Sequence, residues 1–353
     1  MIARGKTGKP IVGVIGFLGR GNAGDEAIFQ CIYEAFRQKF DIVVAVDEHG
    51  AKQGWWDWYP YNEIDRIHQG NIHYFEKRIA GLIVGGGGLG IGFGASQALI
   101  AQSAGTPTAF VGTDHTHTIQ TSQTGMIGAN RFLNLFDYVA LRSKESVKWA
   151  AADGVSACYG ADWALALTTD RSEDHPFDGK RAAVVFREFP ADMLASHYRH
   201  EATRLLSGLT SRGYQPLIVP LSPEDEKFNI SSELTSIVPQ EVHWWNPRRI
   251  QQIISASSLL VTMGRLHSMI FAANVGVQNI QIKPPLRKDV SRHHFRKLEV
   301  MAEELCVPYL ESVDEALKQL DGPIDTSEMR AAADQAKKRL KTMTDNLHDL
   351  FSA

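Results

Sequence analysis

Between Ile79 and Thr113 the sequence carries no charged residue. A run of this length either crosses a bilayer or is buried inside a folded domain. Its interior separates the two. Gly85, Gly86, Gly87, Gly88, Gly90, Gly92 and Gly94 crowd the middle, and Pro107 follows. Each glycine weakens a helix by roughly 1 kcal/mol relative to alanine. A buried strand, a glycine loop, a helix and a second strand therefore fit the run better than a spanning helix.

The same strand-then-helix unit recurs on both sides of it. Ile11–Phe17 is an apolar, β-branched run without alternation, as expected of a strand covered on both faces. Asp25–Lys39 follows with Ala27, Ile28, Cys31, Ile32 and Ala35 at helical spacing. Ile42–Val46, Gly81–Val84, Pro107–Val111, Tyr138–Leu141 and Ala157–Tyr159 read as further strands. The polar stretch Thr168–Lys180 interrupts the rhythm and holds Pro176 and Gly179, which marks a domain boundary. Beyond it the alternation restarts. Strands are expected at Ala182–Phe186, Pro216–Val219, Leu259–Thr262 and Val277–Ile282. Helices are expected at Tyr198–Arg212, Glu224–Thr235, Pro247–Ser255 and His267–Asn274. Thr326–Leu350 reads as a long helix capped by Thr326, with Met329, Ala333, Ala336, Leu340, Met343, Leu347 and Leu350 as its buried stripe. The expected architecture is α/β: two parallel-sheet domains, residues 1–172 and 173–325, with the helix 326–353 packing back on the first. The length of 353 residues suits two domains.

Composition narrows the function classes. Lys+Arg is 37 against 40 Asp+Glu, a net charge of −3, so binding of nucleic acid by bulk charge is not expected. With 44% hydrophobic and 22% charged residues the chain is neither disordered nor collagen-like. Cys31, Cys158 and Cys306 are dispersed and odd in number, which argues against a disulfide framework or a zinc site and fits a reducing compartment. The opening MIARGKTGKP lacks the pattern of a signal peptide.

Open parallel sheets bind ligands beyond the carboxyl ends of their strands, so residues just after strands carry the functional information. Five segments stand there. Gly19-Arg20-Gly21-Asn22-Ala23-Gly24-Asp25-Glu26 is a formal GxGxxG at a strand-to-helix turn, and Asp47 ends the next strand as a ribose acceptor would. Asp25 and Glu26, however, would repel a pyrophosphate, and a tight turn with Asp25 as a cap explains the segment equally well. The Gly85–Gly88 cluster allows either close approach of a ligand or close packing. Arg142 in Leu141-Arg142-Ser143 suits a carboxylate or phosphate in a two-pronged contact, or a salt bridge across the strand end. Thr262-Met263-Gly264-Arg265-Leu266-His267-Ser268 brings a guanidinium, an imidazole and a hydroxyl to a helix start, able to bind an anion and move a proton. Lys283, Arg287, Lys288, Arg292, His293, His294, Arg296 and Lys297 form a local basic patch. His115 and His117 also follow a strand, with no companion ligands at metal spacing. Trp55, Trp56 and Trp58, like His243–Trp245, can present a platform for a sugar ring, though a buried plug is the preferred reading.

GNAGDEAI at Gly21–Ile28, the cluster Gly85–Gly88, Leu141-Arg142-Ser143, Gly160-Ala161-Asp162 and RLHSMIFAANVGV at Arg265–Val277 together resemble the polysaccharide pyruvyl transferase family. Their order and spacing match from about Ile11 to Ile282. The resemblance implies two Rossmann-like domains of the glycosyltransferase B type, with the ligand cleft between them. It implies transfer of the pyruvyl group of phosphoenolpyruvate onto two hydroxyls of a sugar, giving a cyclic ketal and phosphate. The acceptor would belong to an exopolysaccharide or its lipid-linked precursor, and the protein would be cytoplasmic or peripheral at the inner face of a membrane. By matched position, His267, Arg265 and Arg142 would be catalytic, with Asp25 beside them. Leu266, Ser268, Gly86 and Gly87 would help hold the donor. The basic residue after the last strand would be Arg287 or Lys288, with Lys283 also available. Asn22, Asp25, His115 and His117 would face the acceptor, although the segment Gly112–His117 departs from the family pattern. No metal or cofactor beyond the donor is expected. A nucleotide-sugar glycosyltransferase on the same fold is the alternative. A non-catalytic sugar-binding module and a Rossmann dehydrogenase stand further off.

Overall fold

A computed structural model of the chain describes residues 2–89, 92–114, 129–169, 180–189, 193, 197–226, 245–287, 296–322 and 324–353. Contacts divide the chain into two units. The first comprises Met1–Gly21, Asp25–Ala166 and Gln335–Ala353; the second comprises Asn22–Gly24 and Leu167–Asp334.

The first unit is built on a parallel sheet of β1 (Ile11–Ile15), β2 (Asp41–Val46), β3 (Asp65–His68), β4 (Gly81–Gly87), β5 (Thr108–Thr113), β6 (Tyr138–Leu141) and β7 (Cys158–Tyr159), in the order β3-β2-β1-β4-β5-β6-β7. β1, β4 and β5 are buried along their whole length, which is why their sequences are apolar without alternation. The uncharged run resolves into β4, a helix at Ala95–Ser103 and β5. Among the described residues no helix is long and apolar enough to cross a membrane. β3 was not legible as a strand. Its DRIH sequence alternates half-buried and exposed residues, as a charged edge strand does. Strand order reverses between β1 and β4, so the segments after these two strands flank the switch point of this sheet.

The second unit holds β8 (Lys180–Phe186), β9 (Tyr214–Ile218), β10 (Leu259–Met263), β11 (Gln278–Ile282) and β12 (Tyr309–Leu310), in the order β12-β11-β10-β8-β9 and again parallel. Its switch point lies between β8 and β10. Helices Tyr198–Ser211, Pro247–Ser255 and Leu266–Val275 stand where expected, and Arg296–Glu304 and Val313–Gln319 are additional. The expected helix from Glu224 is seen as Pro223–Glu226, and its continuation lies outside the described residues.

The long helix runs Ser327–Ser352, its first residues grouping with the second unit and Gln335–Ala353 with the first. Two expectations about it change. Asp325, not Thr326, supplies the capping oxygens: its carboxylate accepts the Ser327 N–H at 2.8 Å and the Ser327 hydroxyl at 2.9 Å. The buried stripe runs from Met329 through Leu347 and closes on Phe351, while Leu350 is only half-buried. A step of four from Leu347 stays on the inner face and a step of three turns off it. Phe351 lies against Gly81, where a Cβ would overlap its ring, and near Phe36 and Phe40. Burying one such ring is worth about 2–3 kcal/mol.

Candidate functional site

In the first unit, Arg142 follows β6 and donates its backbone N–H to Thr113 O at 3.0 Å. Ser143 then caps the helix Lys144–Ala152 by accepting from Ser146 N–H at 3.1 Å. The Arg142 guanidinium is enclosed by two carboxylates. Nε and Nη2 donate to Asp114 Oδ2 at 2.9 and 2.6 Å, and Nη1 donates to Asp162 Oδ2 at 2.6 Å. Its side chain is 1% exposed. Burial alone pulls Arg142 down; Asp114 and Asp162 more than offset this, and it is held above the usual arginine range. This is the salt-bridge arrangement. These bonds use three of the five N–H donors of Arg142. The Gly160-Ala161-Asp162 segment of the family pattern finds its physical reason here, in Asp162.

The turn after β1 is also internally satisfied. Arg20 N–H and Gly21 N–H both donate to Glu26 Oε1 at 3.1 Å, and Asn22 Oδ1 accepts the Gly24 N–H at 3.1 Å. Tyr61 donates its hydroxyl to Glu26 Oε2 at 2.5 Å. The N–H groups that a GxGxxG loop offers to a pyrophosphate therefore go to a carboxylate of the same chain. Asp47, the would-be ribose acceptor, pairs with Arg20 at 2.7 Å. Both observations remove the support for a dinucleotide site. Burial pushes Glu26 up to about 7, against the pull of Tyr61 and the two backbone donors. Asp25 is buried in the first turn of the helix Ala23–Phe36. Gly87 makes room for it: at φ +74, an added Cβ would stand 2.5 Å from Asp25 Oδ1. A Cβ on Gly86 would overlap Ile28, and one on Gly85 would overlap the Val111 carbonyl. Packing accounts for these three glycines.

In the second unit, Arg265 follows β10 and opens the helix Leu266–Val275. Its Nε donates to Asp225 Oδ2 at 2.8 Å and its Nη2 to Asp225 Oδ1 at 2.6 Å and to Ser222 Oγ. Asp225 in turn accepts the backbone N–H of Glu188 at 2.9 Å and of Leu221 at 3.2 Å. Arg265 thus stands in a fixed orientation with its side chain 12% exposed. Ser268 is fully buried, bonded to Thr262 Oγ1 at 2.8 Å and to the Arg265 carbonyl at 2.9 Å, so it pins the strand-to-helix turn. Leu266 and His267 are buried beside it. Asn22–Gly24 belong to this unit: Ala23 N–H donates to Leu221 O at 2.8 Å, and a methyl group at Gly24 would overlap the His267 imidazole at Nδ1. The glycine of GNAGDE and the histidine of RLH are therefore complementary shapes.

The remaining candidates are dispersed. Lys283 pairs with Glu311 at 2.7 Å. Arg287 is exposed, its backbone N–H bonded to Met193 O. Lys288, His115, His117, His243 and Arg292–His294 lie outside the described residues. Trp55 is buried and stacks on Trp58 with ring centroids 5.9 Å apart, while Arg66 lies over Trp56. Among the described residues no group of three or more His, Cys, Asp or Glu side chains could hold a metal ion. Sequence reasoning assigned no role to Asp114, Asp225 or Arg187, and read Glu26 only as repelling a pyrophosphate. Asp225 was hidden in an acidic helix start; Arg187, like Arg142 and Arg265, follows a strand, and that position was the available signal.

Solved structures share the fold across nearly the whole chain. UDP-GlcNAc 2-epimerase from Methanocaldococcus jannaschii matches with a TM-score of 0.57 at 10% identity, covering 93% of this chain and 98% of that one. Anabaena HepE in complex with UDP-glucose matches with a TM-score of 0.56 at 13% identity, covering 98% and 100%. MurG of Acinetobacter baumannii matches with a TM-score of 0.54 at 10% identity, covering 96% and 99%. No curated protein sequence matches significantly. The fold is thus that of two-domain, glycosyltransferase B-type enzymes. Within that class, residues 22–282 match the polysaccharide pyruvyl transferase family, and the chain belongs to this family of transferases.

Proposed function

We propose that the protein moves the pyruvyl group of phosphoenolpyruvate onto two hydroxyls of a sugar in a polysaccharide or its lipid-linked precursor. The observation that carries this reading is the RLH segment: a fixed Arg265 and a buried His267 at a strand end of the second unit, in a chain of this family. Phosphoenolpyruvate carries a carboxylate and a phosphate, so cations must hold it. Protonation of its methylene carbon makes the neighbouring carbon electrophilic. One sugar hydroxyl attacks that carbon, the bond to phosphate breaks, and a second hydroxyl closes the ketal. Of the two hydroxyl protons lost, one balances the new methyl group and the other leaves with phosphate. His267 is the group that moves protons in this scheme, and Arg265 supplies positive charge toward the departing phosphate. The donor is the only small molecule the scheme requires.

Thermal unfolding with phosphoenolpyruvate, uridine and guanosine diphosphate sugars, and NAD tests the donor. A ligand at about 100 times its dissociation constant adds roughly 2.7 kcal/mol. Phosphoenolpyruvate is expected to raise the melting temperature of the wild type and not of Arg265→Ala. A shift with a nucleotide sugar alone would replace this reading by the glycosyltransferase one. With an acceptor in hand, His267→Gln is expected to slow phosphate release by roughly 10²–10⁴-fold.

A further inference from the structure

Arg187 is the first residue after β8, and Arg265 is the second after β10. β8 and β10 are neighbours and flank the reversal of strand order in the second sheet. Arg187 is held there by its backbone. Its N–H donates to Met263 O at 3.1 Å, and its carbonyl accepts the Tyr198 hydroxyl at 2.9 Å. Gly264, at φ +95, leaves space for it: an added Cβ would stand 3.2 Å from Arg187 Cβ and 2.7 Å from Phe189 Cζ. The guanidinium carbon lies over the Phe189 ring, 4.7 Å from its centroid.

What the guanidinium lacks is a counter-charge of its own. Among the described residues no carboxylate forms an ion pair with Arg187, and its side chain donates no hydrogen bond to them. Asp225, the buried carboxylate nearby, is committed to the fork of Arg265. Glu188 pairs with Arg199 at 3.3 Å. Asp225 and the exposed Glu224 act on Arg187 only through space, without an ion pair. Burial, and then the charge of Arg265, pull Arg187 down to about 10. A half-buried cation without a partner is costly, and an oxyanion ligand removes that cost. A planar guanidinium held over a ring offers two parallel N–H donors to a carboxylate or phosphate. The switch point of an open parallel sheet is where such a ligand binds.

We propose that Arg187 grips an anionic group of the donor, while Arg265 stands beside it as a fixed second charge; the identity of the donor rests on the reading given above. Calorimetric titration of the full chain tests it. The ligands are phosphoenolpyruvate, inorganic phosphate, pyruvate and a uridine diphosphate sugar. The proteins are wild type, Arg187→Gln, Arg187→Lys and, as a control for loss of a nearby positive charge, Arg199→Gln. Arg187→Gln is expected to bind phosphoenolpyruvate at least tenfold more weakly, Arg187→Lys to fall between it and wild type, and Arg199→Gln to match wild type. Unliganded Arg187→Gln is expected to melt no lower than wild type, which a merely structural arginine would not allow. A parallel loss with inorganic phosphate assigns the phosphate to Arg187, and a parallel loss with pyruvate assigns the carboxylate. Wild-type affinity for phosphoenolpyruvate in Arg187→Gln overturns the proposal. If that variant fails to fold, wild-type affinity in Arg187→Lys overturns it instead. Should wild type bind only the nucleotide sugar, with a tenfold loss in Arg187→Gln, the donor reading falls and the role of Arg187 stands. Binding of no anion in the panel by the wild type removes both.

Discussion

Arg142 and Arg265 each stand just beyond a strand and next to a helix start, Arg142 after β6 near the edge of its sheet and Arg265 after the central β10, and their surroundings differ in charge. Arg142 faces two carboxylates and has almost no exposed surface. Arg265 faces one carboxylate, and a second arginine, Arg187, stands nearby. The first cluster sets one guanidinium against two buried carboxylates; the second sets two against one buried carboxylate, with the exposed Glu224 further out. A strand-end arginine is therefore informative only together with its counter-charges. An arginine between buried carboxylates contributes to the stability of its own unit, and a pair of guanidinium groups at a sheet switch point is suited to an incoming anion.

The contrast breaks most visibly at Arg142. Arg142→Ala leaves Asp114 and Asp162 buried without a cation, and a loss of about 3–5 kcal/mol is expected in urea unfolding. A variant as stable as wild type would erase the distinction between the two clusters.

Glu26 sharpens the same point with the opposite sign. It is a buried carboxylate whose partners are Tyr61 and two N–H groups, with no cation among them. The unfolded chain gives up this proton near 4.5 and the folded chain holds it to about 7. Within that window the folded state binds more protons, so this group's contribution is fully present below pH 4.5 and lost as pH rises through 7. The loss is about 3 kcal/mol at most. Glu26→Gln is expected to flatten the fall in unfolding midpoint between pH 5 and pH 8; an unchanged fall would assign it to another group.

A smaller effect, roughly 1–3 kcal/mol, is expected for Gly24→Ala, whose methyl group would displace the His267 ring. Its catalytic loss should resemble that of His267→Gln, measured as phosphate release. Smaller again, about 1–2 kcal/mol, is the expected stability cost of Arg265→Ala, because Asp225 keeps its two backbone donors. Donor-dependent stabilisation should nonetheless vanish in that variant. At the small end, Arg187→Gln is expected to change unliganded stability by no more than about 0.5 kcal/mol. A larger loss in denaturant unfolding would make Arg187 resemble Arg142 and close the gap between the clusters.

Much of this molecule was legible in its sequence, for a local reason. Strands buried on both faces must be apolar throughout, so β1, β2, β4, β5, β8 and β10 announce themselves, and the helices between them show their period. The parallel α/β class follows from that alternation, and the family pattern from five short segments that lie at strand ends or helix starts. Edge strand β3 escaped because an edge does not require apolar residues. The closing turn of the long helix escaped because Leu350 and Phe351 are equally apolar, and only the angle around the helix separates them. A salt bridge at Arg142 was one of its two readings from sequence, but the carboxylates that form it could not be read. Asp114 and Arg142 are brought together by the pairing of β5 with β6, and Asp225 reaches Arg265 across 40 positions of chain. Local sequence determined which residues stand at the strand ends. Only the tertiary structure decided which of them are neutralised, because the energy of a buried charge depends on partners that arrive from distant parts of the chain.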